Sequence, residues 1–168
     1  MIEFLREYVV GFLTCGGKVK LIRKLRPAWQ EGLLNGIGGR VESGEIPHEA
    51  MRREFREEAG LDLTGWIQRI TLHSPMGWRC FFFTQDVSWD TFRSVKTMTD
   101  ETVIEVDTEN LPKDILPSLR WIISLCLDSG IAPCSLVEVI DEDISALEED
   151  SARELAEWLD EEEVPHKV

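Results

Sequence analysis

Residues 36–60 place the strongest constraint on the fold of this 168-residue chain. The first part, GIGGRVESGE, is dense in glycine, and the second part, PHEAMRREFREEAG, has the features of a helix. Pro47 suits a first helical position, and Gly60 suits a C-terminal stop. An apolar stripe on one side of the predicted helix consists of Ala50, Met51 and Phe55. The segment therefore predicts a glycine-rich loop followed by an amphipathic helix that packs on a core.

Strand-like segments lie on both sides of this helix in the sequence. The predicted strands cover residues 8–15, 19–27, 66–75, 78–89 and 102–108, and a second amphipathic helix covers residues 116–128. The first two strands form a hairpin around a Gly16-Gly17 turn. The order strands, helix, strands, helix predicts an α/β fold, in which a mixed β-sheet has a helix packed on each face.

The length suits one compact domain with an appended element. We place the domain at residues 1–130 and a C-terminal extension at 131–168, with a short strand and a helix at 144–160. Residues 138–168 contain 13 acids and 2 bases, whereas residues 1–137 contain 19 acids and 16 bases. The near-neutral body argues against binding along a nucleic-acid backbone. The acid run of the extension is either a solvated helix face or a docking surface for a basic partner.

The cysteines and the N-terminal residues indicate a compartment. The four cysteines are widely spaced, without the C-x-x-C spacing of a zinc site, so we expect buried, reduced thiols. Charges at Glu3, Arg6 and Glu7 favour a first strand over a signal peptide, and no stretch reaches the length of a membrane span. These features predict a soluble, cytoplasmic protein with no membrane partner. They do not determine the oligomeric state, and a homodimer is compatible with them.

Three glutamates of the predicted helix share one side. Glu54, Glu57 and Glu58 are three and four residues apart, which brings their carboxylates within about 5–6 Å of one another. A divalent cation would relieve their repulsion, because hard cations such as magnesium bind carboxylate oxygens and keep positions open for water and phosphate. Glycines at Gly38 and Gly39 would let backbone groups approach such a metal and its phosphates. Taken alone, E-x-x-E-E is more often an exposed helix face with weak ion pairs.

Arg53 lies beside this stripe of carboxylates on the predicted helix. It can pair with Glu49 or Glu57 one turn away, or with Glu45, which precedes the helix. Any of these pairs would fix the orientation of the acids.

The complete string from Gly39 to Leu61 follows the pattern G-x5-E-x7-R-E-U-x-E-E-x-G-U, where U is a bulky apolar residue. It resembles the signature of the Nudix hydrolase family at every defined position. The predicted order of strands and helices, from residue 5 to about residue 129, is compatible with the α/β/α sandwich of that family. The resemblance therefore covers most of the chain and implies the same sandwich here.

The same resemblance implies a site for Mg²⁺ or Mn²⁺. Its ligands would be the carboxylates of Glu54, Glu57 and Glu58 and the carbonyl of Gly38. An acid from a later loop would complete the site, with Glu101 as the best match and Asp100 and Glu105 as weaker ones. Glu45 and Arg53 would be structural supports. Glu54 or Glu57 would be the general base that takes a proton from the attacking water, which displaces the leaving group in line.

The segment LLNGIGGRVESGE is similar to the branch of the family that hydrolyses oxidised purine nucleoside triphosphates. Asn35 matches a base-contacting asparagine of that branch, although a turn residue ahead of glycine is an equally good interpretation. Lys24, Arg26 and Gly39 are candidates for phosphate binding, and surface solvation is the alternative for the two basic residues.

The chain also departs from that branch. Ser118-Leu119 stands where the branch has a pair of aspartates that read the purine, and Leu34 replaces an aromatic residue. The remaining aromatics able to stack on a base are Trp29, Trp78, Phe81 and Trp121. For Phe81 and Trp121 we favour core packing.

Three functions are compatible with these residues. The leading interpretation is a pyrophosphohydrolase that cleaves a nucleoside triphosphate into a monophosphate and pyrophosphate. The second is a hydrolase of ADP-ribose, a dinucleotide or another diphosphate conjugate. The third is a non-catalytic nucleotide-sensing module that signals through the acidic extension. Such a module would be expected to have lost signature acids, and all of them are present, so catalysis is favoured.

Overall fold

A computed structural model describes residues 6–74 and 77–138. Within these residues, one mixed sheet contains eight strands, accompanied by three helices. The strands are β1 (Arg6–Cys15), β2 (Lys18–Arg23), β3 (Leu34–Asn35), β4 (Ile37–Arg40), β5 (Ile67–His73), β6 (Trp78–Asp86), β7 (Thr102–Asp107) and β8 (Ser135–Glu138). The helices are α1 (Pro47–Ala59), α2 (Trp89–Arg93) and α3 (Leu119–Leu127).

Strand β1 organises the sheet because it has partners along both of its sides. It pairs parallel with β6 on one side. On the other side its first half pairs antiparallel with β4, and its second half pairs antiparallel with β2. The order across the sheet is β3-β2-β1-β6-β5-β8, with β7 paired to β2. Strand β1 therefore holds the short glycine strand β4 in register with the sheet.

Each face of the sheet has its own hydrophobic core. Helix α1 contributes the buried residues Ala50, Met51, Phe55 and Ala59 to one core. Helix α3 contributes Leu119, Ile122, Ile123 and Cys126 to the other. Because side chains alternate along a strand, β1 sends Val9 and Leu13 to the α1 core and Phe12 to the α3 core. The predicted α/β/α sandwich, with a mixed β-sheet between helices, is confirmed.

The local sequence explains both ends of α1. Pro47 is its first residue, and Gly60 ends it in the left-handed conformation, at φ 75°, with its N–H donating to the carbonyl of Arg56. Ile46 precedes the helix and has no side-chain oxygen to cap it. Instead, the Glu49 carboxylate accepts a hydrogen bond from the Ile46 N–H at 3.4 Å. This is half of a capping box, and it takes the place of a side-chain cap.

Two regions differ from the sequence-based expectation. Strand β6 ends at Asp86, short of the predicted residue 89, because Ser88 starts α2 by accepting a hydrogen bond from the Thr91 N–H. Strand β4 lies inside the segment predicted as a glycine-rich loop, and β3 lies directly before that segment; β1 pairs with β4, and β2 pairs with β3.

The strand predicted at the start of the extension is present as β8, and it pairs parallel with β5 of the main sheet. The helix predicted at 144–160 lies outside the described residues, and the division of the chain at residue 130 stays a prediction. Cys15, Cys80 and Cys126 are buried as expected, whereas Cys134, immediately before β8, is exposed. None of the helices in the described ranges is long and apolar enough to cross a membrane.

Candidate active site

Helix α1 brings two glutamates to the glycine strand β4. The Glu58 Oε2 accepts a hydrogen bond from the Gly38 N–H at 3.1 Å. A β-carbon at Gly39 would lie 2.5 Å from the Glu54 Oε1, and a β-carbon at Gly38 would lie 2.0 Å from the Val9 carbonyl oxygen. The absence of side chains at these two positions therefore lets the backbone of β4 lie directly beside the acids of α1.

Arg53 connects the loop before α1 to these acids. Its Nε and Nη2 each donate to a Glu45 carboxylate oxygen at 2.9 Å, and Nη2 also donates to the Arg40 carbonyl at 2.9 Å. Its Nη1 donates to the Glu54 Oε1 at 2.6 Å and lies 3.6 Å from the Glu57 Oε2. Glu45 is thus the main partner among the three considered from the sequence. Glu45 and Arg53 occupy places that suit structural supports.

Burial raises the pKa of the acids that face β4. Desolvation raises the pKa of Glu58 to about 7, with Lys24 opposing this rise and Glu54 adding to it. Desolvation also raises the pKa of Glu54, whereas its hydrogen bond with Arg53 lowers it. The side chain of Glu57 is 53% exposed. The three glutamates of the stripe, Glu54, Glu57 and Glu58, therefore divide into two that are largely buried and one that solvent reaches.

Glu101 lies near these acids and is only 5% exposed. Its carboxylate accepts hydrogen bonds from the Lys24 Nζ at 2.5 Å, the Leu25 N–H at 2.8 Å and the Arg26 N–H at 3.3 Å. The negative charge of Glu101 contributes to the raised pKa of Glu58. The two alternative acids, Asp100 and Glu105, form ion pairs with Arg26 and Lys20. Glu101 therefore holds residues 24–26, which follow β2, near the acids of α1 through these hydrogen bonds.

The predicted metal site would lie between the acids of α1 and the backbone of β4. Within residues 6–74 and 77–138, no three Asp, Glu, His or Cys side chains converge as a preformed metal site. The donor chemistry still suits a hard divalent cation, because Glu54 and Glu58 offer carboxylate oxygens beside the backbone of β4. A cation would also favour the ionised form of both buried carboxyls. The residues fit Mg²⁺ or Mn²⁺, and the ligand set stays a prediction.

A cleft of about 650 Å³ begins at the same glycines and has the volume of a small-molecule site. Residues that line it include Tyr8, Lys24, Arg26, Trp29, Gln30, Asn35, Gly38, Gly39, Trp78, Ser118 and Leu119. All four residues predicted to bind substrate, namely Lys24, Arg26, Asn35 and Gly39, are therefore in one cleft. In this cleft Lys24 forms an ion pair with Glu101, and Arg26 forms an ion pair with Asp100.

Asn35 is held by two hydrogen bonds at the wall of the cleft. Its Oδ1 accepts from the Gly36 N–H at 2.7 Å, and its Nδ2 donates to the Gln30 Oε1 at 3.0 Å. The residue therefore bonds the backbone locally, as a turn residue does, and also lines the cleft. Sequence reasoning missed Gln30, because it belongs to a 3-10 turn, Ala28–Gln30, that carries no recognisable spacing.

The aromatic residues divide differently from the expectation. Trp29, which is 54% exposed, and Trp78 both line the cleft. Phe81 is buried in the α1 core, which confirms its predicted packing. For Trp121 the prediction of core packing is wrong, because it lies off the buried stripe of α3 and is 39% exposed. Ser118, which stands where the oxidised-purine branch has an aspartate, lines the cleft.

Comparisons with known sequences identify the family of this chain. A family model described as the NUDIX domain matches residues 5–119. The CTP pyrophosphohydrolase of Escherichia coli (strain K12) is 36% identical over 58 residues, which are 34% of this chain and 43% of that protein. The alignment thus spans less than half the length of that relative.

Solved structures share the fold. The MutT NUDIX hydrolase from Burkholderia pseudomallei is similar with a TM-score of 0.61 and 20% identity, over 73% of this chain and 98% of that one. A NUDIX hydrolase from Nitrosomonas europaea is similar with a TM-score of 0.62 and 15% identity, over 80% of this chain and 79% of that one. Because the family model matches most of the chain and includes the complete signature, this chain belongs to the Nudix hydrolase family.

Proposed function

We propose that this chain is a metal-dependent pyrophosphohydrolase that cleaves the diphosphate linkage of a nucleoside diphosphate joined to a further group. The favoured substrate is a nucleoside triphosphate, converted to a monophosphate and pyrophosphate, and an oxidised purine is one candidate base. The proposed cofactor is Mg²⁺, with Mn²⁺ as a substitute.

The observation that carries this proposal is the shared position of the acids and the cleft. Glu54 and Glu58 border β4 at Gly38 and Gly39, and the cleft that contains Asn35 begins at the same two glycines. A nucleotide with its base beside Asn35 would therefore have its phosphates beside the acids. Lys24 and Arg26 also line the cleft and add positive charge for those phosphates.

The residues of α1 support distinct roles. Bound by Glu54, Glu57 and Glu58, the metal would supply a water of lowered pKa and neutralise phosphate charge. The carboxylate of Glu54 accepts a hydrogen bond from Arg53 at 2.6 Å. This bond orients the carboxylate and occupies one of its oxygens. Glu57 is half exposed and lies 3.6 Å from Arg53, so water can reach it. Of the two candidate bases, we therefore favour Glu57 to accept the proton of the attacking water.

Two observations bear on the base of the substrate. A relative that shares 36% identity over 58 residues is named a CTP pyrophosphohydrolase. Ser118 lines the cleft where the resemblance to the oxidised-purine branch would require an aspartate. Both observations support testing pyrimidine nucleotides alongside oxidised purines.

The test is release of phosphate and pyrophosphate from normal and oxidised nucleoside triphosphates, ADP-ribose and dinucleotides in the presence of Mg²⁺. The unmodified chain is compared with Glu57→Gln and with the matched control Glu31→Gln, at an exposed site outside the cleft lining. We expect metal-dependent turnover that falls at least about 100-fold in Glu57→Gln and is unchanged in the control. Preference for ADP-ribose or a dinucleotide would support the second hydrolase. Tight nucleotide binding without any turnover would overturn catalysis and support the sensing module.

A further inference from the structure

Asn35 has a fixed orientation at the wall of the cleft. The Gly36 N–H lies 2.7 Å from its side chain, and an N–H group can only donate, so the atom that faces it is the carbonyl oxygen Oδ1. The Nδ2 of Asn35 consequently faces Gln30, at 3.0 Å from Oε1. A backbone donor thus determines which side of the Asn35 amide is available to a ligand.

The orientation of the Asn35 amide determines the orientation of the Gln30 amide. Since Asn35 donates, Gln30 presents its oxygen to Asn35 and keeps its Nε2 on the other side. The backbone of Gln30 is held as well, because its N–H donates to the Pro27 carbonyl at 2.9 Å and its carbonyl accepts from the Leu33 N–H at 2.9 Å. The N–H groups that remain for a ligand are one Nδ2 proton of Asn35 and the Nε2 protons of Gln30. Both groups are donors.

The charged residues of the cleft are consistent with a wall that donates hydrogen bonds. Among the residues that the structure describes, those lining the cleft include Lys24, Arg26 and Arg40 and no Asp or Glu. A carboxylate beside Asn35 would accept from the amino and ring N–H groups of a base. Without one in the lining, the side chains at this wall favour base atoms that accept hydrogen bonds.

We propose that Gln30 is a specificity-determining residue, which together with Asn35 selects a base that turns two adjacent acceptors toward the cleft wall. This assignment rests on the proposed nucleotide hydrolase function. Cytosine offers such a pair in O2 and N3, and guanine offers one in O6 and N7. Adenine places an amino group beside N1 and beside N7, and an 8-oxopurine carries a proton on N7. Both are expected to bind less tightly.

The test measures equilibrium binding of the monophosphates CMP, GMP and AMP by calorimetry; these ligands have no diphosphate linkage, so hydrolysis does not contribute. We expect the unmodified chain to bind CMP or GMP at least about tenfold more tightly than AMP. In Gln30→Glu, an oxygen remains for Asn35 while the distal donor becomes an acceptor. This change should abolish or reverse the preference. The control Gln68→Glu makes the same charge change on β5, at a residue outside the cleft lining, and should leave the preference intact.

The ratio of AMP to CMP or GMP dissociation constants is the decisive readout, because added negative charge weakens the binding of every nucleotide. An unchanged ratio in Gln30→Glu would overturn the role of Gln30, whether or not the enzyme turns over. Equal binding of all three monophosphates by the unmodified chain, or no binding of any, would also overturn it. The expected ratios in a chain that hydrolyses nothing would contradict the proposed reaction and retain the assignment of Gln30. The choice between CMP and GMP identifies which acceptor pair the cleft takes.

Discussion

The guanidinium of Arg53 binds the carboxylate of Glu45 through two hydrogen bonds of 2.9 Å each. The two side chains are 19% and 15% exposed, so water competes little for this contact. The same guanidinium reaches the Glu54 carboxylate at 2.6 Å. Arg53 therefore couples the position of the loop before α1 to the orientation of an acid beside β4.

Arg53→Lys should lower both stability and turnover, because an ammonium cannot make the paired contact of a guanidinium. We expect a loss of about 1–3 kcal/mol in the free energy of unfolding and a larger proportional loss in kcat. Urea denaturation and triphosphate turnover measure the two effects. Arg52→Lys is the matched control, since the Arg52–Asp62 pair is exposed to solvent and contributes little to stability. Equal effects of the two variants would contradict the coupling.

Gly38→Ala and Gly39→Ala should differ in kind. The added carbon at Gly38 meets the Val9 backbone at 2.0 Å, which cannot move aside, so we expect destabilisation of about 1–3 kcal/mol or more. The added carbon at Gly39 meets the end of the flexible Glu54 side chain at 2.5 Å. This variant should stay folded and lose at least about tenfold in turnover, equivalent to about 1.4 kcal/mol. Thermal unfolding and turnover, measured together, distinguish the two outcomes, and equal destabilisation would contradict the prediction.

Glu101→Ala should destabilise the chain even without metal. Removing this carboxylate leaves the Lys24 ammonium, whose side chain is 16% exposed, without its 2.5 Å partner and leaves two backbone N–H groups without an acceptor. We expect a loss of about 3–5 kcal/mol. Asp100→Ala breaks a solvent-exposed pair with Arg26 that water screens, so it should leave stability nearly unchanged. Chemical denaturation in the presence of a chelator tests this, and a loss seen only with metal would mean that Glu101 acts solely as a ligand.

Acid should weaken the fold through Glu45. Hydrogen bonding from Arg53 holds the pKa of Glu45 below its usual range. A carboxyl with a depressed folded pKa stabilises the fold above its unfolded pKa, about 4.3, and this stability is lost as the pH falls through the folded value. Denaturation from pH 6 to pH 3 should therefore show a steeper decline for the unmodified chain than for Glu45→Gln. Parallel declines would count against this contribution.

Ile46→Ser should stabilise the chain. Position 46 precedes α1 with extended backbone angles and lacks a side-chain oxygen, while the Ile46 side chain is 56% exposed and loses little burial. A serine there adds a cap worth about 1 kcal/mol. Ile67→Ser, at a comparably exposed isoleucine on β5, should give no gain. Urea midpoints measure both variants, and the absence of a gain in Ile46→Ser would contradict the prediction.

Local patterns predicted the parts of the molecule that depend on local spacing. The stripe of Met51 and Phe55 predicted which side of α1 is buried, and Gly60 predicted where that helix ends. The spacing of Glu54 and Glu58 predicted that they share a side, and both lie at β4. These features follow from the helical period of about 3.6 residues, because the spacing of residues along the chain is enough to show which side chains share a face.

Features that depend on distant partners could not be predicted in this way. The Lys24–Glu101 contact joins residues 77 positions apart, and only the pairing of β2 with β7 brings their neighbourhoods together. The role of Gln30 depends on how the segment before β3 folds over Asn35. Trp121 was misplaced because one helical position separates the buried stripe of α3 from its exposed side.

The parallel pairing of β1 with β6 has a consequence for the order of folding. Partners in this pair are 72 residues apart, whereas the β1–β2 hairpin closes across a turn of two residues. Short loops close at a lower entropic cost than long ones, so we expect the hairpin to form first and the β1–β6 pair later. Tyr8 from β1 and Trp78 from β6 both line the cleft. A growing polypeptide therefore completes this cleft only after residues 78–86 and the later lining residues Ser118 and Leu119 have been synthesised, and a ligand bound there would stabilise the contact that forms late.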